Sequence, residues 1–236
     1  SQPPRSKTAI KTNPFLPPTE ISPPPPTTIT TSHHPPSNKN LTLIGSSITQ
    51  FNNLPNYNLG LPDTLLTLNL HCNDISTLTG LSMLSQLTEL NLSSNCIEIM
   101  DASEFSSLNK LKRLNLASNN IKRVGGLSNL IQLEELNVSH NRITSLGGLN
   151  QLTAQHVLHT LDLRDNRILN LIELTGLTTK CLTLQTVRMK SDAAHNSQAR
   201  RSVRNVRKQE GNVVCTQLGY VAALRTFAPN IQRIDE

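Results

Sequence analysis

The residues of this 236-residue chain with the means for catalysis or metal binding are seven histidines, four cysteines and sixteen carboxylates. Their spacing argues against both uses. His156 and His159 stand three apart, but no Cys, Asp or Glu lies near them at metal-ligand spacing. Cys72, Cys96, Cys181 and Cys215 form no C-x-x-C pair and read as free, mostly buried thiols of a reducing, intracellular compartment. No phosphate-binding glycine loop, HExxH, G-x-S-x-G or paired carboxylate site is present. The chain reads as a non-enzyme with no cofactor and no metal. What recurs is an amide: Asn73, Asn95, Asn119, Asn141 and Asn166, at spacings of 22, 24, 22 and 25. A buried amide donates twice and accepts at its oxygen, so one asparagine per period can tie the backbone of successive units together.

The elements that position these amides are written in the same register. Each asparagine belongs to the phrase L-x-x-L-x-L-x-x-N-x-I, which begins at Leu65, Leu87, Leu111, Leu133 and Leu158. This is the leucine-rich repeat phrase. Each L-x-L is a short strand with two leucines pointing into the core and the middle residue pointing out. One repeat cannot bury its apolar face alone, so stacking builds the core. Leu78, Leu81, Leu84 and Leu87 fall every third residue, as do Val124, Leu127, Leu130 and Leu133. That period suits 3₁₀ turns; a longer helix fits only where a repeat lengthens, around Ala102–Leu108. The expected fold is an α/β leucine-rich repeat solenoid of short repeats. Parallel strands form its concave face and 3₁₀ or short turns its convex face, with a cap at each end.

The outward residues fall into columns. The central column is Asn69, Asn91, Asn115, Asn137, Asp162 and Arg188. One flank is Thr67, Glu89, Arg113, Glu135, Thr160 and Thr186, with signs that invite mutual pairing; the other is His71, Ser93, Ala117, Ser139, Arg164 and Lys190. Curved repeat surfaces of this kind bind proteins. The candidate partner residues are His71, Glu89, Arg113, Asn115, Glu135, Asn137, Asp162, Arg164 and Arg188, although no aromatic anchor stands among them.

Taken in order, residues 1–40 hold eleven prolines and no glycine, and read as an extended tail with polyproline II character around Pro23–Pro26. Residues 41–236 form the repeat domain. Within it, 41–64 is an N-terminal cap lacking the phrase, with Leu41, Leu43, Ile48, Phe51 and Leu54 as its buried positions. Repeats occupy 65–190 and end with a sixth strand at Leu184, Val187 and Met189, after which no ladder asparagine follows. Residues 191–211 are a basic loop insertion and 212–236 a C-terminal cap. Net charge is +6, yet residues 41–189 carry −1 while 1–40 carry +3 and 190–210 carry +4. The repeats themselves are neutral, which argues against a nucleic-acid-binding sheet. Electrostatic contact falls to the tail and to Arg200, Arg201, Arg204, Arg207 and Lys208, whose partner would be acidic: tubulin tails, an anionic lipid or RNA. No run approaches a membrane span and no opening segment resembles a signal peptide; the initial Ser1 implies a removed initiator or a piece of a longer protein.

Three segments carry a narrower likeness. Leu68-Asn69-Leu70-His71-Cys72-Asn73-Asp74-Ile75-Ser76 resembles the first repeat of the leucine-rich repeat and coiled-coil domain-containing centrosomal protein family. The insertion ending His156-Val157-Leu158, followed by LDLRDNRI, resembles that family's last regular repeat. Asn212-Val213-Val214-Cys215 with Gly219-Tyr220 resembles its cap, where proline usually stands at Val213. The resemblance implies a non-catalytic scaffold or adaptor of the microtubule cytoskeleton. It would act in the cytoplasm at a centrosome, centriole, basal body, cilium or axoneme, with tubulin or centriolar and ciliary proteins as partners. Alternatives are a soluble regulatory subunit of a phosphatase or other enzyme, and a ribonucleoprotein component.

Overall fold

Strand, turn and return are each dictated by one part of the repeat. The computed structural model describes residues 39–55, 64–177, 182–191 and 211–235. Each repeat forms a three-residue strand centred on the first leucine of its L-x-L: β2 at Thr67–Asn69, β3 at Glu89–Asn91, β4 at Arg113–Asn115, β5 at Glu135–Asn137 and β6 at Thr160–Asp162. β1 at Asn40–Thr42 precedes them; β7 at Thr186–Arg188 and β8 at Arg233–Ile234 follow. All eight described strands pair in chain order in one parallel sheet. Register is strict: Leu41, Leu68, Leu90, Leu114, Leu136, Leu161, Val187 and Ile234 form one inward row. A slip of one residue would turn every such leucine to solvent, so burial enforces the alignment.

After the strand the chain must leave the sheet, and it does so through a left-handed residue. Cys72, Ser94, Ser118, His140 and Asp165, each directly before a ladder asparagine, have φ between 53° and 57°. The asparagine then fixes the turn. Asn95 donates Nδ2 to Leu70 O at 2.9 Å and Leu92 O at 3.0 Å, and its Oδ1 accepts from Ile75 N at 3.0 Å. Asn73, Asn119, Asn141 and Asn166 repeat the arrangement, and all five are buried.

The convex side is built from the three-residue apolar period. 3₁₀ turns occupy Leu81–Met83, Gly147–Gln151 and Leu171–Leu177. The lengthened repeat carries α1 at Ala102–Phe105, capped by Asp101, whose carboxylate accepts from Ser103 N at 2.9 Å. These turns pack so closely that a Cβ on Gly148 would sit 1.7 Å from Val124 O, and one on Gly176 2.4 Å from Leu146 O. Glycine is required there by the approach of neighbouring backbone.

Both ends depart from the expected pattern. The N-terminal cap does contain a degenerate repeat. Leu41, Leu43 and Ile48 hold the apolar positions, half-buried, and Gly45 at φ 59° holds the left-handed one. Ser46 occupies the ladder position but has no side-chain amide; Asn73 accepts from Ile48 N, as each ladder asparagine does from the repeat before it, and also from Ser46 N, both at 3.0 Å. Phe51 and Leu54 are buried beneath it. At the other end a ladder asparagine does follow β7, delivered from 23 residues past Met189. Asn212 donates to Leu163 O at 2.7 Å and Met189 O at 2.9 Å, and accepts from Ile168 N at 3.1 Å. The insertion is therefore spliced into the repeat between strand and ladder. α2 at Tyr220–Phe227 then packs on the 171–177 turn and, with β8, covers the end of the core. Asp235 locks this cap, accepting from Met189 N at 2.6 Å, Lys190 N at 2.7 Å and the Tyr220 hydroxyl at 2.7 Å. Burial, with the bond to Asp235, raises the Tyr220 hydroxyl above its ordinary range.

Candidate functional site

The last residues of β2 to β7 line a groove of about 460 Å³ on the concave face, floored by strand leucines and walled by the flank of Thr67, Glu89, Arg113, Glu135 and Thr160. Its side chains are held by their own strands. Asn69, Asn91, Asn115 and Asn137 each turn Oδ1 back to accept a backbone N–H two residues on, from His71, Ser93, Ala117 and Ser139, at 3.0–3.1 Å. Ser93 Oγ and Ser139 Oγ add bonds of 2.7 Å to the same oxygens. The central column is thus a second ladder, half-buried and local, beside the buried one. Among the described residues none of its four Nδ2 groups has a hydrogen-bond partner.

The column's acid is spent differently. Asp162 is 4% exposed. Its Oδ1 accepts from Arg164 N at 3.1 Å and Nε at 3.0 Å, and its Oδ2 from Nη2 at 2.7 Å. A fork of this kind fixes both partners and neutralises the carboxylate in place. Two residues expected to meet a partner therefore serve first as a clamp on the floor of the groove. Arg188 stands beside Asp162 in register, half-buried, with no bonded partner among the described residues.

On the first flank, Arg113 pairs with Glu89 across neighbouring strands, whereas Glu135 stands exposed with no ion-pair partner among the described residues. The alternation of sign thus yields one pair rather than a network, and pairs so exposed contribute little stability. On the other flank His71 Nδ1 lies 2.8 Å from Ser93 Oγ, tying the first two repeats together at their edge.

The remaining chemistry-bearing residues do structural work. His156 is buried: Nδ1 accepts from Thr153 N at 3.0 Å, so Nε2 carries the proton and donates to Leu127 O at 3.1 Å. It pins the extra residues of the fifth repeat. His159 is not joined to it in a metal set, and no group of three metal-binding side chains gathers among the described residues. Cys72 and Cys96 are exposed, contrary to expectation, because they flank the ladder asparagine where the chain turns outward. Cys215 is half-buried, and burial pushes its thiol up to about 11. Arg200, Arg201, Arg204, Arg207 and Lys208 lie outside the described residues, as do Cys181 and residues 1–38 of the proline-rich tail, whose expected end at residue 40 falls inside β1. The insertion's two roots are described: Ser191 bonds Asp165 Oδ1, which in turn lies 3.4 Å from His140 across its other oxygen. No described helix is long and apolar enough to cross a membrane.

Comparison with known proteins agrees with this geometry. The leucine-rich repeat model matches residues 63–121, and the model of two such repeats in tandem matches residues 109–151. The structure is similar to that of an internalin from Listeria monocytogenes, with a TM-score of 0.51 and 21% identity. The match covers 76% of this chain and 43% of the internalin chain, so this chain spans less than half of that structure. No curated protein matches the sequence. The chain carries leucine-rich repeats and folds as an open parallel-sheet solenoid. Such solenoids act generally in protein–protein interaction and are typically non-catalytic scaffolds.

Proposed function

We propose that this chain is a protein–protein interaction adaptor of the microtubule cytoskeleton, docking a protein partner on its concave sheet at a centriole, basal body or axoneme. The observation that carries the interaction reading is the groove, in which polar side chains stand in registered columns, oriented by their own strands. Rigid, pre-oriented groups lose little entropy on binding. The cytoskeletal part is supported by the likeness of the His71-Cys72-Asn73 repeat and of the Asn212–Tyr220 segment to the centrosomal family. It is supported also by the charge of the insertion, whose roots at Ser191 and Gly211 adjoin Lys190, just past the end of β7. An acidic surface such as tubulin tails is the complementary neighbour.

The test is the location of the tagged full-length chain before and after detergent extraction. Retention as spots at ciliary bases or along axonemes is expected. Complete release into the soluble fraction moves the reading to a soluble regulatory subunit, and nuclear retention lost on RNase treatment to a ribonucleoprotein. Replacing Arg200, Arg201, Arg204 and Arg207 with Gln should weaken retention and flatten its salt dependence. Unchanged retention removes the insertion from the interface.

A further inference from the structure

Along the central column the acceptors of Asn91, Asn137 and Asp162 are filled, so Asn91 and Asn137 offer the groove donors only. Asn69, Asn91, Asn115 and Asn137 each spend Oδ1 on their own backbone, which leaves Nδ2 open to the groove in a fixed orientation. Asp162 spends both oxygens on Arg164, and Arg188 can only donate. A partner must therefore bring acceptors in a row, at the strand spacing of about 4.7–4.9 Å or a multiple of it.

Regular backbones differ in whether they can do so. An α-helix spends its carbonyls internally. An extended strand shows same-side carbonyls roughly every 6.6–6.8 Å and falls out of step after one contact. Polyproline II has no internal hydrogen bonds, and one turn of three residues advances about 9.3 Å. Two strand spacings are about 9.4–9.8 Å. Asn91, Asn137 and Arg188 lie on β3, β5 and β7, each two strands from the next. A seven-residue polyproline II segment of about 19 Å meets all three with successive same-face carbonyls. A row of carboxylates is a poorer fit, because Glu135 stands unpaired at the groove wall beside Asn137.

We infer that the groove binds a proline-rich segment of a partner protein in the polyproline II conformation, with carbonyls accepting from Asn91, Asn137 and Arg188. This rests on the concave sheet being the interaction face and names the chemistry of its partner. No aromatic side chain lines the groove, so hydrogen bonds replace the ring packing usual for such ligands and affinity is low.

The experiment is a titration of the ¹⁵N-labelled full chain with blocked decaproline, followed by NMR at the side-chain amides. The Asn91 and Asn137 amide signals should shift. Asn91→Asp and Asn137→Asp keep the oxygen that holds Ser93 N and Ser139 N but remove the donor, so the fold is retained. Each should weaken decaproline about tenfold, while Asn115→Asp, out of phase, changes it less than about twofold. Silent amides, equal losses in both phases, or tighter binding of blocked decaglutamate each overturn the proposal. If Asn91→Asp with Asn137→Asp releases the chain from extracted cytoskeletons while decaproline leaves the amides silent, the proline-rich assignment alone fails and the adaptor reading stands. Undiminished retention of that double variant, with silent amides, removes the concave face from both.

Discussion

Two kinds of asparagine stand four residues apart in the first four repeats, and the difference between them is burial. Asn119 is 7% exposed and holds Leu92 O, Leu116 O and Ile97 N, none of which can turn to water. Asn119→Ala should cost about 1–3 kcal/mol for each buried group left unpaired. The urea midpoint should fall with an unchanged slope. Asn115→Ala frees a single half-buried N–H, that of Ala117, and should cost no more than about 1 kcal/mol; an equal loss at both positions would show that the two ladders are energetically alike. The cysteines divide on the same ground. Burial raises the Cys215 thiol to about 11, so little thiolate is present at pH 8, while Cys72 and Cys96 are exposed. Alkylation followed by peptide mass spectrometry should find Cys72 and Cys96 modified well before Cys215. Here the sequence misled, since loop cysteines beside a buried asparagine read as buried too. Which way a side chain leaves a left-handed turn is a property of backbone geometry that no spacing shows.

At the scale of the repeat, the legible parts are those that recur and the illegible ones those that occur once. The strands, the five ladder asparagines and the convex 3₁₀ turns are written in apolar periods of two and three. The close approach at Gly148 is not, because glycine in a polar turn has many uses. With only 1.7 Å between a Cβ there and Val124 O, backbone must move. Gly148→Ala should therefore destabilise by about 1–3 kcal/mol or more, read as a lower thermal midpoint. Gly147→Ala, whose Cβ would meet nothing nearer than 3.6 Å, is the matched control. Asn212 shows a different limit. Its phrase, Asn212-Val213-Val214, is the end of a repeat whose beginning lies before the insertion, with Val214 buried where the ladder isoleucine belongs. A search by fixed period cannot join the halves. The clamp of Asp162 by Arg164 was also hidden, since two-apart charges on a strand ordinarily face the same way without meeting.

For the molecule as a whole, the spliced repeat makes the insertion separable from the fold. Ser191 and Gly211 meet: a Cβ on Gly211 would lie 2.7 Å from Ser191 Oγ. Everything the C-terminal cap contributes, from Asn212 and Val214 to Tyr220, Leu224 and Asp235, lies after that junction. Residues 192–210 bring five basic and two acidic side chains. Replacing them with a two-residue Asn-Gly turn should leave the ladder intact. Stability should hold or rise by up to about 2 kcal/mol, because a shorter loop costs less entropy to close. The urea transition measures that. The same variant, tested for retention on detergent-extracted cytoskeletons across a salt series, separates two contributions. If the insertion supplies the electrostatic contact and the groove the specific one, retention weakens most at low salt, and the remainder barely responds to ionic strength. A fall in the urea midpoint would instead mean that the insertion braces the cap. Charge and groove would then have to be dissected by the arginine substitutions alone.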